Sequence, residues 1–352
     1  MRRVVIAVAT AALIGGATPS VAEAGDIPVS EAQCTGDRYL ATATDADDAA
    51  ALMRGELTLP FFGTWQLPAD PNWTENPFQN DMWAYDYHKL RWLDVLRREG
   101  LRTQNQAMLD RYAALWQDWI ADNGYAAQRR SEFSWAAMGV GIRAIGLVCA
   151  DAALGGPDWV RAAMRTHAAA LLDPAQRGNG NHALHQDIGL LALGCRLGET
   201  SWRDTAVARS SAGLTKLVDA DGVSTEGSMQ YHALVYRWYQ TLLARMTACG
   251  IVPDLAVFAR VALMPTFAGY ATQPDGNVVA WGDTPAVREA TDVPGTLIDY
   301  VVSQGARGSA PAKTFALFRP TGYAFSRSGW FDTETAAQQS LASIRSGRRP
   351  PP

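Results

Sequence analysis

Apolar residues recur every three or four positions along most of the chain, and that period predicts helices. Residues 82–98 place Trp83, Tyr87 and Leu90 on one face, and Gly100 offers a stop. Further helical stretches follow at 104–121, 133–153, 158–172, 182–197, 202–218, 228–248 and 255–270. Turn residues separate them: Asn123-Gly124, Gly155-Gly156-Pro157, Gly198, Asp221-Gly222 and Gly250. The links are short, so successive helices should run antiparallel. A long string of helical hairpins buries one common core only by curling. The expectation is a mainly α fold, an incomplete α/α toroid, although no strict sequence repeat accompanies it.

After Gln273 the period changes. Pro274-Asp275-Gly276-Asn277 reads as a turn, and residues 278–281 as a short strand. Residues 314–319 and 323–330 alternate as strands do, and 336–346 reads as a helix. The tail from Arg345 to Pro352 has the Arg/Pro-rich composition of a disordered segment. The expected division is a leader at 1–24, the toroid at 25–272, a linker and short, incomplete β-sandwich segment at 273–344, and a tail at 345–352.

Composition narrows the function classes. With 352 residues, 48% of them hydrophobic, the chain can bury a large core. A net charge of −4 argues against a nucleic-acid partner, while a local basic pocket would still admit an anion. Twelve Trp and eleven Tyr supply flat apolar faces, which both sugar clefts and helical cores use. Arg2 and Arg3, the apolar run from Val4 to Ile14, and Ala22-Glu23-Ala24 form a signal-peptide pattern cleaved after Ala24. That predicts a periplasmic or secreted protein with no membrane span in its mature chain. The four cysteines make no metal knuckle or redox pair. Cys149, Cys195 and Cys249 sit in apolar helical stretches and read as buried thiols, although an oxidising compartment permits one or two disulfides. No cofactor or metal is called for.

Two short segments carry the candidate chemistry. The first, Gly180-Asn181-His182, opens a helix after a flexible Gly178-Asn179 run. An amide and an imidazole at a helix start can donate hydrogen bonds to a carboxylate, with the helix field adding to them. Asn181 serves equally well as a plain helix cap. The second segment runs through Asp221-Gly222, Glu226 and Ser228 to Tyr231-His232. Ser228 reads as an N-cap, which puts Tyr231 in the first turn. A positioned phenol can take a proton from carbon and return it to a leaving oxygen. Tyr231 also shares a stripe with Val235, Trp238 and Leu242, as a core tyrosine would. Adjacent helical residues point about 100° apart, so Tyr231 in a cleft leaves His232 in support. Glu226 can position a neighbour or remain a solvated loop carboxylate.

Residues 221–232 resemble the DG-x-x-x-E-x-S-x-x-YH pattern of the heparinase II/III-like polysaccharide lyases. Asn181-His182 is similar to that family's Asn-His pair. Trp73, Pro77 and the run from Trp83 to His88 resemble its N-terminal helical segment, and Ser134-Trp135 with Arg143 its Trp-to-Arg helix. Asp275-Gly276, Gly282-Asp283 and residues 322–328 resemble the end of its toroid and the first strands of its β-sandwich. The resemblance implies a lyase that cleaves an acidic, uronic-acid-containing polysaccharide by β-elimination. It implies Asn181 and His182 neutralising the carboxylate and Tyr231 as general acid/base. Trp83, Tyr87, Trp135, Arg143, His232 and Glu226 would then help bind substrate. Family members continue into a full β-sandwich, which in several supplies a second catalytic His or Tyr. The five histidines of this chain end at His232. The resemblance therefore implies either that Tyr231 serves as both base and acid, or that the chain is C-terminally truncated and weak or inactive. Two alternatives stand beside it. One is an α/α-toroid glycoside hydrolase using carboxylates among Asp187, Glu226 and Asp283. The other is a non-catalytic protein that binds anionic glycans.

Overall fold

The period-3.6 pattern folds into eleven α-helices among the described residues of a computed structural model, which are residue 34 and residues 42–125 and 131–345. The expected leader at 1–24 and residues 346–352 of the expected tail lie outside them. The helices are α1 (Asp45–Met53), α2 (Asp81–His88), α3 (Asp94–Thr103), α4 (Gln106–Asp122), α5 (Ala137–Ala153), α6 (Asp158–Leu172), α7 (Gly180–Leu197), α8 (Thr200–Leu217), α9 (Met229–Ala248), α10 (Leu255–Tyr270) and α11 (Leu297–Val302). A hairpin, β1 (Glu56–Thr58) and β2 (Thr64–Gln66), lies between α1 and α2.

Consecutive helices pair as hairpins: α3 with α4, α5 with α6, α7 with α8 and α9 with α10. In addition α5 packs on α7, and α7 on α9. Alternate helices therefore form an inner wall and their partners an outer one. Burial agrees for the first two inner helices, with 12 of 17 residues buried in α5 against seven of 15 in α6, and 12 of 18 in α7 against four of 18 in α8. It does not distinguish α9 from α10, with eight of 20 and seven of 16 buried. This arrangement is the incomplete α/α toroid expected from the pattern.

Two glycines let the inner wall close. A Cβ on Gly141 of α5 would lie 2.2 Å from the His185 carbonyl oxygen of α7, and one on Gly189 would lie 2.5 Å from the Gly141 oxygen. The two backbones touch directly, with no room for a side chain on either face. At the far end of these helices, Asp151 is fully buried and takes Arg161 of α6 at 3.1 Å and Arg196 of α7 at 2.7 Å. One carboxylate thus joins three helices, and its two cations offset its desolvation.

Several sequence expectations are corrected. The single helix foreseen over 82–98 breaks at Leu90, whose φ of 56° lies in the left-handed region. The break turns residues 89–91 sideways and starts α3 at Asp94. Gly100 does not stop that helix but makes room for the Leu109 side chain of α4. The cysteines are not buried thiols: Cys34 bonds to Cys149, and Cys195 to Cys249. Partners 115 and 54 residues apart are brought together only by the ring closure. The helix expected over 336–346 is instead strand β5 (Leu341–Arg345), so Arg345 belongs to a sheet and not to a tail. Of residues 278–281 only Val278 makes an isolated bridge, to Thr272, and no strand forms there. The β1–β2 hairpin had no counterpart in the reading of the sequence.

β5 completes an antiparallel sheet with β3 (Phe315–Phe318) and β4 (Tyr323–Arg327) in the order β3-β4-β5. Its apolar face covers Phe267 of α10, whose ring lies 4.9 Å from Phe318, 5.2 Å from Tyr323 and 5.6 Å from Phe325. The sheet is thus fastened to the outer end of the toroid. No helix among the described residues is long and apolar enough to cross a membrane.

Replacing Gly141 by Ala forces a methyl group into the His185 backbone. We expect a loss of about 1–3 kcal/mol, the usual cost of overpacking a filled core. A thermal melt of Gly141→Ala beside Gly213→Ala checks this. A Cβ on Gly213 would meet only the Tyr239 hydroxyl, at 3.9 Å, and its φ is not positive, so the loss is expected at Gly141 alone.

Candidate active site

A cleft of about 800 Å³ opens on the inner wall, between α2 and the inner helices α5, α7 and α9. Asn181, His182, Gln230 and Tyr231 line it together. The two segments that looked reactive in the sequence therefore meet, although about fifty residues separate them.

The start of α7 is fixed from behind. Arg177 grips Asp187 with both guanidinium arms, at 2.6 and 2.8 Å. Burial pushes the Asp187 carboxyl up to about 6, with Arg177 opposing. Gln186 donates to the Gln176 carbonyl at 2.8 Å and accepts from the Gly178 N–H at 2.9 Å. Residues inside the helix thus hold the loop that leads into it. The cap position belongs to Asn179, so Asn181 is not the cap and its amide is available to the cleft rim. That amide donates to Glu226 at 3.4 Å. Glu226 is exposed, yet its carboxyl is raised by local desolvation, with the Asn181 amide opposing. His182 stands exposed beside Asn181. Desolvation against the cleft wall and then the Lys89 charge hold its ring below the ordinary histidine range. At neutral pH it is an uncharged imidazole with one N–H to give.

The start of α9 is fixed from outside the toroid. Ser228 caps it, accepting from the Tyr231 N–H at 3.4 Å as the sequence suggested. Thr284 adds a second cap from 55 residues away: its hydroxyl oxygen accepts from the Met229 N–H at 2.9 Å and the Gln230 N–H at 3.3 Å. It donates in turn to the Trp281 carbonyl at 2.6 Å. Neighbouring Gly282 packs so closely that a Cβ there would lie 2.6 Å from the Gly227 oxygen. Arg345 of β5 donates to the same oxygen at 3.0 Å. The turn that holds Tyr231 is clamped by the segment following the ring.

His232 points away from the cleft into the core. Its Nδ1 accepts from the Ser224 N–H at 3.3 Å and its Nε2 donates to the Met264 carbonyl at 3.0 Å. It supports the Tyr231 loop and has no face for substrate. Four more expected binding residues are corrected in the same way. Trp83 and Tyr87 stack at 4.9 Å in a closed aromatic cluster, and Trp135 donates to the Asn123 carbonyl at 2.9 Å. Arg143 is fully buried, lies 4.1 Å over the Trp119 ring and donates to the His88 carbonyl, the Ser134 carbonyl and His167. Burial pushes its guanidinium down to about 9. On an inner helix, one side of the turn faces the cleft and the other faces the outer ring. Arg143 sits on the second side of α5, while Trp83 and Tyr87 belong to α2 and Trp135 to the turn before α5, all three packed into the core.

The charged cleft residues that the sequence reading missed are four cations and three carboxylates, Asp81, Asp86 and Asp94. Lys89, Arg91, Arg237 and Arg245 line the cavity, with Tyr85, His185 and Trp238 between them. Lys89 pairs with Asp86 and lies 4.2 Å over the Tyr85 ring. His185 meets the Trp238 ring edge-on at 4.8 Å. Burial raises the Tyr85 phenol to about 12, with Arg143 opposing. A faint signal existed in α9, where Gln230, Leu234, Arg237 and Thr241 repeat at helical spacing. Nothing marked Lys89 and Arg91, because the break at Leu90 was not visible. No group of three His, Cys, Asp or Glu that could hold a metal occurs among the described residues.

The family model for the heparinase II/III N-terminus matches residues 40–289. No curated protein sequence matches the chain. Among solved structures, heparinase III aligns with a TM-score of 0.71 at 17% identity, over 95% of this chain and 55% of that one. The heparan sulfate lyase HepC of Pedobacter heparinus aligns with a TM-score of 0.66 at 17% identity, over 86% of this chain and 51% of that one. The chain thus spans about half the length of the solved chains it resembles, and at these identities the likeness is one of fold.

Two outcomes follow from this geometry. Thr284→Val keeps the shape but leaves two N–H groups of α9 without their acceptor. A loss of about 1–2 kcal/mol in thermal stability is expected, with Thr284→Ser close to wild type. Acid should also destabilise the fold. His88, His167 and His232 each accept a hydrogen bond on one ring nitrogen, and burial pushes them down to about 3, 3 and 4. Unfolded histidines bind protons below about 6.5, whereas these buried ones do not until near 4 or 3. Their stability is complete above pH 6.5 and falls with pH through that window. Melting temperatures that stayed flat from pH 7 to pH 4.5 would contradict the assignment.

Proposed function

We propose a polysaccharide lyase, because the chain belongs to the heparinase II/III family by its match over residues 40–289. The substrate is a uronic-acid-containing polysaccharide, cleaved by β-elimination. The observation that carries this reading is the meeting of Asn181, His182 and Tyr231 in one cleft. Asn181 and His182 sit in the first turn of α7 and Tyr231 in that of α9, and the positive end of a helix dipole favours a negative ligand.

The chemistry follows from the donors present. The sugar proton next to a carboxylate is weakly acidic, and its removal spreads negative charge onto that carboxylate. The Asn181 amide and the neutral His182 N–H donate to the carboxylate as the charge develops. The Glu226 carboxylate, which accepts from Asn181, orients the amide. Tyr231, entering the step as the phenolate, takes the proton from the carbon and, as the phenol so formed, delivers it to the bridging oxygen. The carbon–oxygen bond breaks, and its departure leaves a double bond in the uronate ring. One phenol performs both transfers if proton and leaving oxygen lie on the same side of the sugar. Lys89, Arg91, Arg237 and Arg245 line the cleft against Asp81, Asp86 and Asp94, and this small cationic excess favours an anionic polymer.

The hydrolase reading is less well supported. It needs two carboxylates facing one bond. Asp187 is buried and held in the Arg177 fork, and Glu226 is engaged with Asn181. Export fits the lyase reading too, because the two disulfides require an oxidising compartment.

The test is ultraviolet absorbance of the unsaturated product during incubation with a panel of uronate polymers. Tyr231→Phe should lower the rate by about 10²–10⁴-fold with the melt unchanged. Asn181→Ala should lower kcat by about 10²–10³-fold. Full activity in Tyr231→Phe would remove the proton role from that phenol.

A further inference from the structure

Phe61 is the most anomalous side chain on the surface. It is 99% exposed, the highest value among the large apolar side chains of the described residues. Its φ is 72°, in the left-handed region that costs a bulky residue about 1–2 kcal/mol. It occupies the third position of the turn between β1 and β2, after Pro60, with the Phe62 N–H donating to the Leu59 carbonyl at 3.1 Å. A positive φ at that position, after proline, is the type II geometry, where glycine or asparagine is the usual choice. The chain thus holds a strained phenylalanine in water at a site where glycine would relax the backbone.

The rest of the hairpin is anchored. The hydroxyls of Thr58 and Thr64 meet at 2.8 Å across the strands. Phe62 packs on Phe78 at 5.5 Å, and Trp65 meets Trp83 edge-on at 5.3 Å. Leu59 is buried. A rigid base therefore presents one ring to solvent. Phe61 also lines the mouth of the cleft that holds Asn181 and Tyr231, beside Pro60 and the exposed Met82.

We propose that the Phe61 ring is a stacking platform for the polymer, taking the apolar face of a sugar ring at the cleft mouth, away from the bond that breaks. The proposal rests on the polysaccharide reading above and adds a binding subsite to it. A sugar ring has one face of C–H groups, which matches an aromatic face in shape and in the sign of its quadrupole. A platform fixed by its backbone loses little freedom on binding.

The experiment compares wild type, Phe61→Asn and Phe61→Trp on a cleaved polymer and on the shortest oligosaccharide that is still cleaved. Asparagine tolerates the left-handed backbone but has no ring. Phe61→Asn should raise KM for the polymer about three- to tenfold, with kcat within about twofold and the short substrate unaffected. Its melting temperature should equal or exceed that of wild type, because the strain is relieved. Phe61→Trp should keep the wild-type KM. An unchanged polymer KM in Phe61→Asn overturns the platform. So does a lowered melting temperature with equal losses on both substrates, since that is the behaviour of a packing residue or of a surface another protein segment covers. If wild type cleaves no polymer in the panel, calorimetric titration of the same polymers decides. Weaker binding by Phe61→Asn upholds the platform while the lyase reading fails; equal binding, or none by either protein, overturns it.

Discussion

The direct backbone contact between α5 and α7 is the constraint on which the rest depends. Gly141 and Gly189 let the two inner helices approach until carbonyl and Cα atoms touch. That distance sets the curvature of the inner wall, because α5, α7 and α9 can line one cleft only if neighbours cross closely. It also sets where α7 begins, and hence where Asn181 and His182 stand. The ties at the other end of these helices, Asp151 with Arg161 and Arg196 and the Cys195–Cys249 bond, keep the crossing from sliding. A ring of helices has no sheet hydrogen bonds to fix its register, so side-chain size at crossings must do it.

The core behind the cleft is polar at its centre. Arg143 lies among Trp119, Trp135 and His167 and reaches carbonyls at both the end of α2 and the loop before α5. A buried cation is tolerated when every N–H arm has an acceptor and an aromatic face lies beneath it. The histidines around it must then stay neutral, since each supplies or needs an acceptor nitrogen. The arrangement joins α2, α5 and α6 through directional contacts that a purely apolar core would lack. It also explains why residues that resemble substrate contacts in the linear sequence serve as framework.

The cleft is not a property of the ring alone. Thr284, Gly282 and Arg345 all press on the turn that starts α9, and the sheet behind them is anchored on Phe267. The helix that carries Tyr231 is therefore positioned from both its own sequence, through Ser228, and from a segment more than fifty residues later. At the opposite rim the β1–β2 hairpin is held by its aromatic packing and leaves a single ring in solvent.

The periodic apolar pattern determined the helices from α4 to α10, their order and their antiparallel pairing, because those follow from local spacing and turn residues; it did not foresee α1 or α11 and it merged α2 with α3. It located α6 and α10 to the residue, and it marked Asn181, His182 and Tyr231 because reactive side chains at helix starts leave a short-range signature. What it could not give was direction. Trp83, Tyr87 and Arg143 sit on helical faces that look as suitable as the cleft-facing ones, Trp135 sits in the turn before α5, and only the ring decides which side chains point inward. The left-handed Leu90, which brings Lys89 and Arg91 to the cleft, depends on packing that no neighbour in sequence reports. Strand β5 has weak local preference and forms because β4 offers it an edge. The disulfides and the Thr284 cap join residues far apart in the chain. Sequence fixes what is local; closure of the ring decides everything that depends on which distant backbone arrives beside it.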